Sequence, residues 1–513
     1  MMKNYLKTKI LVVVAAVFCI ASCSEDFLDR PPEDSYNVDD FYSTDAEVAA
    51  AANHLYSRPW FNFVSNVSWG IGELASGNAR TWDARNSEFG TFAITGAHGT
   101  LTQSWESLYA VIAQANSVIN TLPTNVSGDI SEEVTNNSVA EARMIRATAY
   151  FYLVRIFGSV PIIADNTEFV LEPKVPRNTI EDIYTFMKMD LEFAVDNLYD
   201  RTSNSNYEVG RVSSNSAKAM LAKLYLYEEN WSMAYQLSNE VENSGAFSLM
   251  EDYYDLFLLQ NDNNVESVFA LQWTDSGTYS EGNAIQSFYA ASGITGFADG
   301  YSALGPSISL QEEYEDNDRR YYATIMEPGA FYPDLNGGYT VPETINFQGT
   351  NVGIKKYVVG NVGGAQQSYP NNTYILRYAE VLLIKAEAAL NGGGPIGEGL
   401  DALNLVRERA ELDPLDSYTA EDVFHERRVE LALEGEFWYD VVRQGPDFAI
   451  NFLADQEKGT YDNSVTPAVV TSEKFTPTME DLYFPYPSNE IQNNPALLEP
   501  PVPYDFSQTT EEE

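Results

Sequence analysis

The sequence is poor in cysteine and histidine. Its 513 residues include two cysteines and three histidines. Both cysteines, Cys19 and Cys23, lie near the start, which excludes an internal disulfide in the rest of the chain. The histidines, His54, His98 and His425, are far apart and lack metal-ligand spacing. The sequence also has no HExxH, nucleophile elbow, phosphate loop or zinc cluster, so we predict no catalytic residue and no cofactor.

Positive charge is also scarce, because 30 lysines and arginines face 75 aspartates and glutamates, for a net charge of −45. Such a charge repels phosphates and therefore excludes nucleic acid or an anionic membrane surface as the ligand. We interpret the excess of carboxylates as a soluble, solvated surface.

Asp262 stands among asparagines, as in a Ca²⁺ loop, but the segment lacks the Gly and Glu of an EF-hand. A plain turn is predicted there.

Long hydrophobic runs are absent except near the start. Lysines precede residues 10–20, an uncharged apolar stretch too brief for a stable membrane anchor. Small residues follow and lead directly to Cys23, as a lipoprotein signal peptidase requires. We predict a signal peptide over residues 1–22 and lipidation of Cys23 by acyl chains such as palmitate. The alternative is an ordinary secreted protein with a coincidental cysteine.

The remaining chain divides by its pattern. Residues 23–43 lack periodicity and are predicted to form a lipidated tether. Residues 44–266 and 373–513 contain helical patterns. Between them, residues 267–372 are rich in Gly, Asn and aromatic residues, and we predict a loop-rich insertion with a few short strands, a candidate ligand region.

Apolar residues at spacings of three and four predict amphipathic helices. Small residues such as Ala217 and Ala222, followed by the ring of Trp231, are typical of tetratricopeptide packing. The predicted fold is mainly α, with about four tetratricopeptide-like helix pairs forming a right-handed superhelical scaffold around the insertion. The predicted helices cover residues 46–56, 101–122, 140–157, 179–198, 216–227, 231–241, 374–390, 397–410 and 421–433.

Specific motifs occur along nearly the whole chain. The most specific is RYAEVLLIKAEA at residues 377–388. The others are FLD at 27–29, AEARMIRATAYFYL at 140–153, FGSVP at 157–161, ERRVEL at 426–431 and FPYP at 484–487. Together and in this order they resemble the SusD family, also called RagB, of Bacteroidetes outer-membrane nutrient-binding lipoproteins.

The resemblance implies a non-catalytic protein that captures an oligosaccharide and passes it to a SusC-like TonB-dependent transporter. It also implies a lipid-anchored position at the outer membrane, facing the extracellular side. Two alternatives stay open. One is a secreted glycoside hydrolase, because two of the 75 acidic residues can meet in space without a local signature. The other is a SusD-like lipoprotein that binds a peptide or a protein.

Sugar binding requires an aromatic face for the apolar side of the ring and planar polar groups for its hydroxyls. Residues 78–86 combine both in one polar loop, and the resemblance implies ligand contacts from the same loop. We predict Trp82 as a stacking platform rather than a capped surface aromatic. The predicted polar partners in this loop are Asn78, Arg80, Asp83 and Arg85.

The insertion supplies a second set of candidate aromatics. Trp273, Tyr289 and Phe297 are predicted ligand contacts, although Trp273 follows an apolar run and has a core position as its alternative. Tyr279, Phe288 and Tyr301 lie in the same polar setting.

The charged residues of the last helices have a structural interpretation. Arg427, Arg428, Glu430, Glu434 and Asp440 lie in otherwise apolar segments, which is typical of buried ion pairs between helices. Trp438 is likewise predicted to lie in the core.

Overall fold

Most of the chain can be described in structural terms. A computed structural model describes residues 42–127, 130–167, 174–275, 277–345 and 347–508. The predicted signal peptide and Cys23 lie outside these ranges. Within them, every helix is too short or too polar to cross a bilayer.

The described fold is mainly helical, as predicted. Its α-helices are α1 (Asp45–Ala50), α2 (Ser87–Thr91), α3 (Gly99–Asn125), α4 (Glu132–Phe157), α5 (Ile180–Asn197), α6 (Ser214–Tyr227), α7 (Trp231–Ser244), α8 (Ile285–Tyr289), α9 (Ile308–Gln311), α10 (Arg319–Thr324), α11 (Tyr378–Leu390), α12 (Ile396–Arg409), α13 (Ala420–Leu431), α14 (Phe437–Val442), α15 (Pro446–Asp455) and α16 (Ser488–Asn493). Two π-helical segments cover Phe63–Val67 and Gly70–Ala75. Single 3₁₀ turns cover Asn53–Tyr56, Arg58–Trp60, Tyr253–Phe257, Leu259–Asn261, Leu335–Gly337, Met479–Leu482, Pro495–Leu498 and Phe506–Gln508.

Local capping explains where the helices begin. Thr44 and Glu47 form a capping box at α1, and Thr419 and Asp422 form another at α13. Gly158, with a φ of 72°, ends α4. One prediction is wrong here, because residues 374–377 form a strand rather than the first turn of α11.

The long helices pack against one another in a continuous series. Adjacent members are α3 and α4, α4 and α5, α5 and α6, α6 and α7, α7 and α11, and α11 and α12. Small buried residues such as Ala217, Ala222 and Ala386 let these helices approach closely. Gly393 is required where α11 ends, because a Cβ there would lie 2.1 Å from the carbonyl oxygen of Trp231. The tetratricopeptide-like class predicted from the sequence is confirmed.

Short antiparallel strands organise the insertion and its borders. The strands are β1 (Ala79–Thr81), β2 (Ser267–Leu271), β3 (Leu304–Pro306), β4 (Ile325–Met326), β5 (Phe331–Tyr332), β6 (Tyr339–Thr340), β7 (Gly353–Ile354), β8 (Thr373–Arg377), β9 (Thr460–Asp462) and β10 (Val469–Thr471). They pair as β1 with β3, β2 with β8, β4 with β7, β5 with β6 and β9 with β10. The pairing of β2 with β8 holds the two ends of the insertion together.

Buried ion pairs connect these parts of the fold. The guanidinium of Arg377, in β8, lies 2.6 Å from Glu266, 2.9 Å from Glu430 and 2.8 Å from Glu434. Burial would raise the pKa of Glu430, but the charges of Arg409 and Arg377 outweigh burial and hold it well below its usual range. Glu430 is therefore ionised and depends on its partners.

The other predicted ion pairs are also present. Arg427 contacts Glu380 at 2.8 Å and Asp440 at 2.9 Å, and Arg428 contacts Glu313 at 2.7 Å. The structural interpretation of these charged residues is confirmed. Trp438 is fully buried, as predicted.

We expect Arg377→Ala to lower the free energy of unfolding by about 3 to 5 kcal/mol, because Glu266, Glu430 and Glu434 each lose a buried cationic partner. Urea denaturation followed by circular dichroism measures the change. Arg319→Ala is the control, since half-exposed Arg319 pairs only at 3.4 Å with Asp252 and Glu411 and should change stability by less than about 1 kcal/mol. Equal losses in both variants would contradict the interpretation.

Stability should also fall in acid because of Glu436. Burial would raise its pKa, but Arg155 at 2.9 Å and Lys223 at 2.8 Å outweigh burial and lower the pKa to about 2. A depressed folded-state pKa stabilises the protein above the unfolded value of 4.5. That contribution, about 3 kcal/mol, is lost as the pH falls from 4.5 to 2. As the pH falls across this range, the urea midpoint of Glu436→Gln should fall less steeply than that of the wild type. Equal slopes of midpoint against pH in the two proteins would refute the assignment.

Candidate functional site

The loop that carries Trp82 rests on a buried polar base. Gly72 lies so close to Gly435 that a Cβ would lie 2.3 Å from its carbonyl oxygen. The amide of Gly435 donates to Glu73 at 2.6 Å, and Asn78 Nδ2 donates to Glu73 at 3.0 Å. Arg428 in turn donates to Asn78 Oδ1 at 3.0 Å. Burial raises the pKa of Glu73 to about 7, so its hydrogen bonds must satisfy a carboxyl group shielded from water.

Strand pairing joins this loop to the insertion. In the β1 and β3 pair, Arg80 lies opposite Gly305. Thr81 Oγ1 donates to the carbonyl oxygen of Ala303 at 2.5 Å and accepts from the amide of Asp83 at 2.9 Å. The two sequence regions predicted separately to bind ligand are therefore neighbours.

An ion pair shapes the polar side of the loop. Arg85 Nε lies 3.0 Å from each carboxylate oxygen of Asp83, and Arg85 Nη2 also donates to it. The hydrogen bond from Arg85 lowers the pKa of Asp83. The guanidinium of Arg85 is largely exposed and remains accessible to a ligand on its outer side.

Trp82 differs from the other tryptophans. Its side chain is partly exposed. In the described part of the chain, neither the hydrophobic core nor the half-buried residues that pack on it include Trp82, whereas Trp60, Trp69, Trp105 and Trp231 are included. A partly exposed indole outside the core is available for stacking.

Tyrosines of the insertion lie beside Arg85. The hydrogen bond that Arg85 donates to Asp83 raises the pKa of Arg85, and the nearby hydroxyls of Tyr301 and Tyr279 raise it further. The Arg85 guanidinium also lies 5.7 Å from the ring centre of buried Phe288. Tyr279 is 57 % exposed and Tyr301 is half-buried. The residues Trp82, Asp83, Arg85, Tyr279 and Tyr301 are called here the Trp82 surface.

Tyr301 is held in place by glutamines that the sequence did not single out. Gln366 Nε2 donates to the Tyr301 hydroxyl at 2.9 Å, and Gln367 Nε2 donates to it at 3.0 Å. Gln366 also donates to the carbonyl oxygen of Ala298 at 3.1 Å. Phe297 precedes Ala298 in the same loop. It is partly exposed, and its ring packs on Tyr369. Only the tertiary structure joins residues 297–301 to the distant glutamines.

Other predicted contacts point into the protein. Asn78 is fully buried between Glu73 and Arg428, as described above. Trp273 is buried and its indole donates to Thr373 Oγ1 at 3.1 Å. Tyr289 is buried, with its hydroxyl 3.3 Å from the carbonyl oxygen of Leu433. The side chains of these three residues are therefore enclosed by the protein.

Arg80 and Asp262 both have partners within the protein. Arg80 is mostly buried and its Nη2 lies 3.6 Å from Glu473, so its charge is balanced within the protein. Asp262 accepts the backbone amide of Asn372 at 3.1 Å, and burial raises its pKa to about 7. Among the described residues, no cluster of three or more acidic, histidine or cysteine side chains suits a metal ion.

Comparison with known proteins identifies the family. The model described as SusD family matches residues 190–502, and the model described as "Starch-binding associating with outer membrane" matches residues 26–226. A SusD-like protein of Bacteroides ovatus is 37 % identical, over 99 % of this chain and 100 % of its own. The chain belongs to the SusD family.

Solved structures of relatives agree with this fold. A crystal structure with xylogluco-oligosaccharide has a TM-score of 0.80 and 36 % identity, over 90 % of this chain and 99 % of its own. A laminarin-binding SusD-like protein has a TM-score of 0.71 and 25 % identity, over 88 % of this chain and 98 % of its own. Relatives of this chain therefore include proteins that bind glycans.

Proposed function

We propose that this protein is a cell-surface lipoprotein that captures an oligosaccharide at the Trp82 surface, without catalysis. The observation that carries the proposal is a partly exposed Trp82 outside the hydrophobic core, next to the Asp83 and Arg85 ion pair. Such an indole stacks on the apolar face of a sugar ring, while the carboxylate and guanidinium bond to its hydroxyls. The relatives that bind xylogluco-oligosaccharide and laminarin support a glycan as the ligand.

Binding is favoured over hydrolysis by the electrostatics of this surface. A glycoside hydrolase needs a carboxylic acid with a raised pKa beside the bond that it cleaves. Asp83 is the carboxylate of the Trp82 surface, and its pKa is lowered by Arg85. It is therefore ionised at neutral pH and has no proton to donate to a leaving group.

The proposal extends to the protein's place at the membrane. Acyl chains on Cys23 would hold the body at the outer membrane, facing outward, and residues 23–43 would serve as the tether. A SusC-like TonB-dependent transporter is the proposed recipient of the glycan. The match to a family model for outer-membrane starch binding supports this location.

Trp82→Ala should weaken glycan binding at least tenfold, because it removes the stacking platform. Calorimetry with xylogluco-oligosaccharide, laminarin and other polysaccharides measures the affinity. Trp231→Ala is the matched control, since Trp231 is also half-buried but lies in a different helix pair, at the start of α7. Unchanged binding by Trp82→Ala would contradict the site. Sugar products that increase with protein concentration would contradict the non-catalytic role.

Cys23→Ala should release the protein from the membrane, because no acyl chain can be attached. Fractionation of cells labelled with a palmitate analogue measures label and location together. The unaltered protein should also recover a TonB-dependent barrel in a membrane pull-down. An unlabelled, freely secreted wild-type protein would refute the anchor, and a pull-down without such a barrel would refute the transporter partner.

A further inference from the structure

An open cavity of about 490 Å³ adjoins the Trp82 surface. Arg85 and Asn86, which follow Trp82 in the same loop, line one side of it. The residues at the start of α3, among them Gly99 and Gln103, line the other. This volume lies within the range of about 300 to 1,000 Å³ that is typical of small-ligand pockets.

The cavity presents amide groups that the protein leaves unused. Asn86 is 1 % exposed, and its Oδ1 accepts from Thr100 Oγ1 at 2.7 Å. Its Nδ2 donates to no other residue in the described ranges. Asn66 Nδ2 donates to Gln103 Oε1 at 3.4 Å, which leaves the Gln103 nitrogen and the Asn66 oxygen without a partner among the same residues. Asn86 is almost fully buried, whereas Asn66 and Gln103 are partly exposed, so these amides offer hydrogen bonds to a ligand in the cavity.

The chemistry of the lining favours an uncharged polyol. Among the described residues, the lining of the cavity includes His98 but no Phe, Tyr or Trp, which disfavours a large apolar ligand. An anion at the start of α3 would face the Glu88 carboxylate, and the Thr100 amide there already donates to His98 Nδ1 at 3.2 Å. Arg85 is already paired with Asp83. Unused donors and an acceptor in one cavity match the paired hydroxyls of a neutral sugar.

We propose that this cavity is a second subsite, which receives a neutral sugar branch of a glycan whose backbone lies on Trp82. The inference rests on the proposed function and adds the ligand class, a branched and uncharged glycan. Arg85 and Asn86 connect the two subsites, because both line the cavity in the loop that presents Trp82.

A pair of glycine variants tests the subsite. Gly99→Phe adds a ring at the lining of the cavity, where an added Cβ has no atom within 4 Å. Gly397→Phe is the matched control, because Gly397 is equally open and lies near the start of α12, away from the cavity. Gln103→Leu is a milder variant that removes one amide donor. The probes are pairs with a common backbone: xylogluco- and cello-oligosaccharide, and galactomanno- and manno-oligosaccharide.

In calorimetry, the wild-type protein should bind the branched member of at least one pair about tenfold more tightly than the unbranched member. Gly99→Phe should abolish that preference while the unbranched affinity stays within about twofold. Gln103→Leu should reduce the preference, and Gly397→Phe should retain it.

Equal wild-type affinities within every pair that binds, or a preference that survives in Gly99→Phe, would overturn the subsite. Loss of both branched and unbranched binding in Gly99→Phe would overturn it as well, since the cavity would then not be separate from the backbone site. Failure of the proposed function gives a different result: no probe binds, or Trp82→Ala binds every probe as the wild type does.

Discussion

The pairing of buried arginines and lysines with carboxylates is the constraint on which this fold depends. Helix α13 and the segment after it carry three buried glutamates. Glu430 pairs with Arg377 of β8, and Glu434 pairs with Lys356 of the insertion. Glu436 pairs with Arg155 of α4, one of the first long helices. Each ion is shielded from water, so each requires its partner in one position. Elements far apart in the chain are thereby held in a single arrangement.

The same network reaches the base of the Trp82 surface. Arg428, next to these carboxylates in α13, donates to Asn78 at the base of the Trp82 loop. From there β1 pairs with β3 of the insertion, and Thr81 fixes both the loop and the strand. Trp82 and Arg85 are thus presented by a braced loop, so little ordering entropy opposes ligand binding.

This arrangement separates the parts that give stability from the parts proposed to meet ligand. Arg377 and Glu430 are buried and paired with each other, whereas Arg85 pairs with Asp83 and remains largely exposed to solvent. Membership of the SusD family and relatives with bound glycan agree with a surface of this kind. The amide-lined cavity beside it adds a feature by which one member of the family can select its own glycan.

The sequence by itself determined the helices, the family motifs and the choice of Trp82 as a candidate ligand contact. Helix caps and apolar spacing act within a few residues, so α3 and α5 to α7 were predicted close to their observed bounds, whereas α4 begins at Glu132 rather than at residue 140. A tryptophan among Asn, Arg and Asp is visible without any contact being known. Only the tertiary structure decided that Asn78, Trp273 and Tyr289 face inward, that residues 374–377 pair with β2, and that Gln366 reaches Tyr301. Those outcomes depend on partners far away in the chain, which local spacing does not encode.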